Sequence, residues 1–154
     1  MTKKQKIICA SKSPVQTKKT GFLLAQTILK GGPQGQALVL LLRGDLGAGK
    51  TTFMQGFAKG LGVKETINSP TFVILKKYPL NMAGGFKYFY HIDCYRLGGA
   101  ADFEPLGIKE ILRDAANIVA IEWPEVVGDW GGEEILRIDF ETVNKEERYI
   151  SFGD

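Results

Sequence analysis

Residues 44–52 form the pattern in this chain with the clearest chemical meaning. They read Gly-Asp-Leu-Gly-Ala-Gly-Lys-Thr-Thr and fit G-x-x-x-x-G-K-[ST], the phosphate-binding P-loop. Glycines let successive backbone N–H groups turn toward an anion, Lys50 can reach the β- and γ-phosphates, and the Thr51 hydroxyl can bind Mg²⁺. The pattern predicts a nucleoside triphosphate site, with the Asp45 side chain pointing away from the phosphates. The loop residues predicted to bind the nucleotide are Asp45, Leu46, Gly47, Ala48, Gly49, Lys50, Thr51 and Thr52.

Two acidic residues stand where strands are predicted to end. Asp93 closes the run Phe-Tyr-His-Ile-Asp, and Glu122 closes Ile-Val-Ala-Ile-Glu. A P-loop enzyme needs a carboxylate at a strand end to hold Mg²⁺, directly or through water. Glu122 follows the more apolar run, which is typical of a central parallel strand beside the P-loop strand. The alternative for each acid is structural, either capping a helix or pairing with Arg96 or a lysine.

Three further features give weaker signals. Ser69-Pro70-Thr71 could be a switch segment that senses a γ-phosphate, but it is equally an ordinary entry from loop to strand. His91 shares a strand face with Asp93, and packing or a hydrogen bond near the acid is favoured over metal binding. Trp123 follows Glu122, and its position suits stacking on a base as well as filling the strand end.

The P-loop lies between a predicted strand and a predicted helix, as its chemistry requires. Residues 37–42 form an apolar run typical of a buried parallel strand, and apolar residues at helical spacing follow the loop as far as Gly62. Ser13 and Pro14 mark the start of an earlier helix that extends to about Lys30. The apolar side of that helix is predicted to comprise Val15, Phe22, Leu23, Ile28 and Leu29. Further strands are predicted over residues 6–10, 71–75, 86–93, 117–121, 135–140 and 148–152, and one or two short helices over 103–112.

Size and composition indicate one α/β domain over residues 1–154, because 154 residues with 44% hydrophobic content can form one core. We predict a P-loop NTPase domain with a mixed, mostly parallel central sheet flanked by helices and a C-terminal antiparallel hairpin. No apolar run is long enough to span a membrane, so a cytoplasmic location is expected. The net charge of +3 is mild, and the lysines near the N-terminus favour a solvated surface over a nucleic-acid patch.

Four motifs in order resemble the TsaE (formerly YjeE) family of bacterial tRNA threonylcarbamoyladenosine modification. They are the P-loop over 44–52, Ser-Pro-Thr-Phe over 69–72, His-Ile-Asp-Cys-Tyr-Arg-Leu over 91–97 and Ile-Glu-Trp-Pro-Glu over 121–125. The resemblance extends over essentially the whole chain. It implies a small ATPase that binds ATP and Mg²⁺, is slow alone and is stimulated by a partner. The implied partner is the TsaB–TsaD complex, through which the protein would meet tRNA indirectly, with no role for a membrane.

The resemblance also implies roles for individual residues. Leu46 to Thr51 would hold the phosphates, and Thr51 together with Glu122 would hold Mg²⁺. Asp93, with Lys50 and Glu122, would serve catalysis. Ser69 and Thr71 would form the switch-like segment, and Trp123 corresponds to a family tryptophan near the nucleotide.

Two other functions are weighed against a partner-gated ATPase. In a nucleotide-gated binding module, the ATP or ADP state would set partner affinity and hydrolysis would be incidental. A small-molecule kinase would need an acceptor pocket and usually an arginine-rich lid, and the sequence shows no lid-like arginine cluster.

Overall fold

A computed structural model describes residues 5–68, 74–130, 132 and 134–153. Its strands are β1 (Ile7–Ser11), β2 (Leu38–Arg43), β3 (Leu75–Pro79), β4 (Tyr88–Asp93), β5 (Asn117–Glu122), β6 (Ile135–Thr142) and β7 (Arg148–Phe152). Its helices are α1 (Pro14–Gly31), α2 (Lys50–Gly60), α3 (Ala100–Phe103) and α4 (Ile108–Arg113). Short 3₁₀ turns lie at Ala83–Gly85, Glu104–Leu106 and Pro124–Val126.

The seven strands form one sheet in the order β1-β7-β6-β2-β5-β4-β3. Strands β6, β2, β5 and β4 pair in parallel at its centre, whereas β7 and β3 run antiparallel to their neighbours. Strand β1, at one edge, pairs with β7 alone. The sheet is therefore mixed and mostly parallel, and β6 with β7 forms the C-terminal antiparallel hairpin. Both features confirm the predicted fold class.

Helices cover both faces of this sheet, which is why β2 and β5 at its centre are apolar along most of their length. Helices α1 and α2 cover one face over a core that includes Leu40, Phe57 and Ile118. The shorter α3 and α4 cover the other face, where Leu41 and Ile121 are buried. The predicted positions of β2, α2 and β5 agree with the structure within one or two residues at the strand ends.

Glycines bring α1 and α2 into backbone contact. A Cβ atom on Gly21 of α1 would lie 2.2 Å from the carbonyl oxygen of Phe53. A Cβ atom on Gly56 of α2 would lie 1.9 Å from the carbonyl oxygen of Lys18, and Gly60 is covered in a similar way. Real Cβ atoms do not approach so closely, so these positions have room only for hydrogen. Because α2 begins at the P-loop, this contact fixes the helix that carries the loop.

Strand β3 differs from its prediction. The expected strand covered residues 71–75, of which 71–73 lie outside the described residues, whereas β3 extends from Leu75 to Pro79. Its register against β4 is antiparallel, with Leu75 opposite Ile92 and Pro79 opposite Tyr88. The expected hairpin is thus confirmed, with its first strand displaced along the chain. Lysines and a terminal proline suit an edge strand. Because these residues are not apolar, the pattern of apolar residues does not indicate a strand at β3.

The lysines of the first third of the chain are distributed over several surfaces. Lys6, on the chain just before β1, pairs with Asp139 at 3.6 Å. Lys30 lies in the last turn of α1, where the helix dipole favours a positive charge. Lys18 and Lys19 line a separate groove beside α2. Across the described part of the chain, no helix is both long and apolar enough to cross a membrane.

Candidate nucleotide-binding site

The P-loop connects the end of β2 to Lys50, the first residue of α2. Gly44, Gly47 and Gly49 adopt φ angles of 151°, 78° and 103°, a region in which glycine is favoured over residues with a Cβ atom. Gly49 is also the N-cap residue of α2, and it has no side chain with which to cover the first N–H groups of the helix. The loop therefore presents backbone donors and the positive end of a helix dipole, the arrangement that binds phosphate.

Lys50 lies inside the site and is 6% exposed. Its amine donates to the carbonyl oxygen of Gly44 and, at 3.1 Å, to that of Asp45. Burial lowers the pKa of Lys50, although the nearby carboxylates, Glu122 first among them, oppose that shift. The lysine is thus held within a group of negative charges and carbonyl dipoles at the base of the loop.

The two strand-end acids stand side by side. Asp93 on β4 and Glu122 on β5 are paired in register on neighbouring parallel strands, so both lie at the carboxyl edge of the sheet. Glu122 is 2% exposed, and its Oε2 atom lies 2.8 Å from Nε2 of His91. Asp93 Oδ1 accepts a hydrogen bond from the Tyr95 N–H group at 2.9 Å. The expected hydrogen bond between His91 and an acid exists, and its partner is Glu122 rather than Asp93, the acid on the same strand.

A cleft of about 280 Å³ brings these groups together. Nine of the predicted site residues line it, namely Leu46, Gly47, Gly49, Lys50, Thr51, Thr52, Asp93, Glu122 and Trp123. Asp45 is exposed, in keeping with the expectation that its side chain points away, and Ala48 is buried in the core. Neither of these two lines the cleft. The predicted switch residues Ser69 and Thr71 lie outside the described residues.

Trp123 turns the chain sharply at the end of β5. It adopts a left-handed conformation with φ 56° and ψ 47°, which is unusual for a bulky residue and points the indole toward the loop. The Lys50 amine lies 4.2 Å from the centre of its ring, and Tyr95 packs against it with ring centres 5.0 Å apart. The indole therefore lies beside the Lys50 amine in the cleft.

Sequence reasoning assigns no role to Arg148, the first residue of β7. This side chain is 8% exposed and lines the same cleft as the P-loop. The signal that could have identified it is the alternation of β7, which places Arg148 on the inward face with Ile150 and Phe152. An arginine in an otherwise apolar inward row needs an anionic partner. Tyr95 and Arg96 also line the cleft, and the sequence suggests Arg96 only as a partner for an acid.

The oxygen ligands in the cleft suit Mg²⁺ bound together with a nucleotide. The Thr51 hydroxyl and the Glu122 carboxylate line the same cleft. Among the described residues, no group of three or more His, Cys, Asp or Glu side chains is placed to form a metal cage. Mg²⁺ in nucleotide sites needs only one or two protein oxygens, because phosphates and water supply the others. The residues present fit that mode of binding.

A P-loop between a central parallel strand and a helix, facing carboxylates at the ends of neighbouring strands, defines a P-loop NTPase-like α/β fold. The sequence profile of the family described as "Threonylcarbamoyl adenosine biosynthesis protein TsaE" matches residues 11–150. The chain belongs to the TsaE family. The resemblance stated from the four motifs is thereby confirmed.

Similar proteins support this assignment. The tRNA threonylcarbamoyladenosine biosynthesis protein TsaE of Bacillus subtilis is 40% identical over 114 residues, covering 74% of this chain and 68% of the relative. The protein of the same name from Treponema pallidum is 34% identical over 143 residues, covering 93% of this chain and 97% of the relative. The crystal structure of Bacillus subtilis YdiB superposes with a TM-score of 0.72 at 32% identity, covering 99% of this chain and 87% of that one.

Proposed function

We propose that this chain binds ATP with Mg²⁺ and hydrolyses ATP in support of threonylcarbamoyladenosine formation on tRNA. The observation that carries the proposal is a single cleft in which the P-loop, Lys50, Asp93 and Glu122 meet. Family membership provides the link to tRNA modification, because the family and the relatives above are named for it.

The P-loop and the first turn of α2 would bind the phosphates. The P-loop N–H groups and the first turn of α2 would bind phosphate oxygens. Lys50, which donates to two loop carbonyls, would turn its amine to the phosphates, and their negative charge would favour its protonated form. Thr51 and Glu122 would hold Mg²⁺, which when bound offsets the charge that develops on the phosphate oxygens.

The two acids would have separate roles. Glu122 is held by its hydrogen bond to the buried His91, so its carboxylate has a fixed direction. Asp93 is held by the Tyr95 N–H group at the edge of the cleft, where a carboxylate can orient a water molecule or accept its proton. Fixed carboxylates suit a reaction that depends on the position of water and phosphate.

The proposal also includes a cytoplasmic location and a partner complex. The TsaB–TsaD pair would stimulate a turnover that is slow in the isolated protein, and tRNA would be met through that pair. Support for these partners comes from the family resemblance alone.

The first test compares two lysines of α2. Lys50→Ala should abolish ATP binding and hydrolysis, whereas Lys59→Ala, an exposed position in the last turn of the same helix, should leave both unchanged. Binding is measured by calorimetric titration with MgATP, and hydrolysis by phosphate release with and without TsaB–TsaD. Hydrolysis by Lys50→Ala at the wild-type rate would refute the proposed site.

The second test separates an ATPase from a nucleotide-gated binding module. Asp93→Asn keeps the size of the side chain and removes its charge, so it should bind ATP and lose phosphate release. If tRNA modification by the reconstituted complex also stops, hydrolysis is required. Modification at the wild-type level by a variant that binds ATP and cannot hydrolyse it would instead support the binding module.

A further inference from the structure

A groove separate from the nucleotide cleft lies beside α1 and α2. It has a volume of about 900 Å³, and its walls are α1, α2 and the connection that follows α2. None of the described residues that line this groove also lines the nucleotide cleft. The groove is therefore a second surface, which the proposed ATPase chemistry does not use.

The walls of the groove are held in place by close contacts. Gly56 of α2 packs against the backbone of Lys18 on α1, and only hydrogen fits between them. The connection after α2 is joined to that helix by the side-chain amide of Gln55, which donates to the carbonyl oxygen of Ile67 at 3.1 Å. A groove with fixed walls suits a binding partner, because little ordering is needed when the partner binds.

The charge of the groove is strongly positive. Four exposed lysines line it, namely Lys18, Lys19, Lys59 and Lys64. Within the described part of the chain, the side chains of these lysines form no ion pair and no hydrogen bond. Glu65, the one acidic residue of the described lining, pairs instead with Lys76 at 3.5 Å. Because no described carboxylate offsets the four charges, the groove attracts an acidic occupant.

The lining of the groove is also partly apolar. Phe22 and Val63 are half-buried in it, and Ile67 is buried. A peptide that carries both acidic and apolar side chains matches the lysines and these residues together. RNA matches less well, since arginine forks bind phosphate best and bases stack on aromatic rings. The described lining contains no arginine and a single aromatic ring, that of Phe22.

We propose that this groove binds an acidic segment of a partner protein, one that carries apolar residues among its acidic ones. The lysine amines would pair with carboxylates of the segment, while the lysine methylene groups, Phe22 and Val63 would cover its apolar side chains. The inference goes beyond the proposed function, because this binding requires neither ATP nor the P-loop.

The test measures binding of a short fluorescein-labelled peptide of Glu-Glu-Leu repeats to the nucleotide-free protein by fluorescence anisotropy. Lys18→Gln/Lys64→Gln removes one charge from each of two walls, and Lys87→Gln/Lys145→Gln, the control, removes two exposed charges away from the groove. Losing two exposed ion pairs should weaken peptide binding roughly 10-fold in the groove variant. The control should bind like the wild type. Added salt should reduce the difference, because it screens exposed charges.

Two further probes distinguish the alternatives, a peptide of Gln-Gln-Leu repeats and a single-stranded RNA of the same length. The wild type should bind the Glu-Glu-Leu peptide more tightly than either. The inference would be overturned if the acidic peptide did not bind, if the uncharged peptide bound equally well, or if both variants lost affinity equally. Tighter binding of the RNA, lost in the groove variant, would assign the groove to nucleic acid and would also overturn it.

Thermal unfolding and titration with MgATP complete the comparison. All three proteins should unfold at the same temperature, because the changed side chains are exposed. A wild type that binds the acidic peptide and no ATP would refute the proposed function alone. A wild type that binds ATP and not the peptide would refute this inference alone.

Discussion

Replacing Gly56 by alanine tests the backbone contact between α1 and α2. The new Cβ atom would lie 1.9 Å from the Lys18 carbonyl oxygen and 2.6 Å from its carbonyl carbon, both of them backbone atoms that cannot rotate away. Ordinary Cβ contacts begin near 3.4 Å, so the helices would have to separate locally by about 1.5 Å. That movement would also open the close approach at Gly21 and Gly60.

The expected effect on stability is the balance of two terms. Overpacking of this kind costs about 1–3 kcal/mol, and contact with rigid backbone places Gly56→Ala at or above the upper end. Alanine recovers about 1 kcal/mol through its better helix propensity. A net loss of about 2 kcal/mol follows, which for a domain of this size lowers the unfolding temperature by roughly 4–8 °C. ATP affinity should fall as well, because displacement of α2 moves Lys50 and the loop before it.

The matched control is Gly31→Ala at the end of α1. A Cβ atom there would have no neighbour within 4 Å, so only the propensity gain applies and the unfolding temperature should stay the same or rise. Both variants are compared with the wild type by circular dichroism during heating. If Gly56→Ala unfolds at or above the wild-type temperature, the helices do not approach closely enough to exclude a methyl group and the reasoning fails.

Three other predictions concern buried polar groups. Burial raises the pKa of the Cys94 thiol to about 12, so a thiol reagent near neutral pH should label Cys9 alone in the native protein and both cysteines in denaturant. Burial lowers the pKa of Lys50 below 10.5, so at pH values between its native and unfolded pKa the unfolded chain binds more protons than the native protein. The free energy of unfolding of the nucleotide-free wild type, relative to that of Lys50→Met, should therefore rise with pH in this range. A difference that falls with pH would contradict the lowered pKa. His91→Leu should cost about 1–3 kcal/mol in urea unfolding by leaving the Glu122 carboxylate without its partner, and the additional change Glu122→Leu should restore much of that loss.

The sequence could predict the parts of the site that depend on a short local pattern of residue types. The glycine loop and Lys50 require a strand before them and a helix after them, and the structure has both. Glu122 could be assigned to a strand beside β2 because its apolar run is typical of a parallel strand buried on both faces. These patterns are short-range, so recognising them does not require knowledge of the tertiary contacts.

The buried face of α1 shows where such patterns stop. The apolar pattern of α1 predicts that Val15 and Leu23 lie on its apolar side, yet these side chains are 74% and 54% exposed. The buried positions are Thr17, Gly21 and Ala25, four residues apart, because α2 approaches so closely that only small side chains fit. Hydrophobic periodicity cannot reveal a contact made by backbone.

Arg148 shows a different limit. The alternation of β7 marks it as an inward-facing arginine, but its position against Gly49 of the P-loop depends on the sheet order, in which β7 lies between β1 and β6 rather than beside β2. The charge in the turn at Lys145 is the more visible feature of the hairpin, and it lies away from the cleft. Only the three-dimensional arrangement shows whether an inward-facing arginine packs at the end of an apolar strand face or contacts a loop.

The pairing of β1 with β7 alone has a consequence for the order of folding during synthesis. The strand nearest the amino end must wait for the last strand to leave the ribosome before it has a neighbour. Pairings between distant segments form late, since a long loop must close first. The same late strand brings Arg148 to the P-loop, so a nascent chain can present a P-loop helix well before the cleft has its full set of cations. Synthesis of β7 is therefore required both to complete the sheet and to complete the cleft.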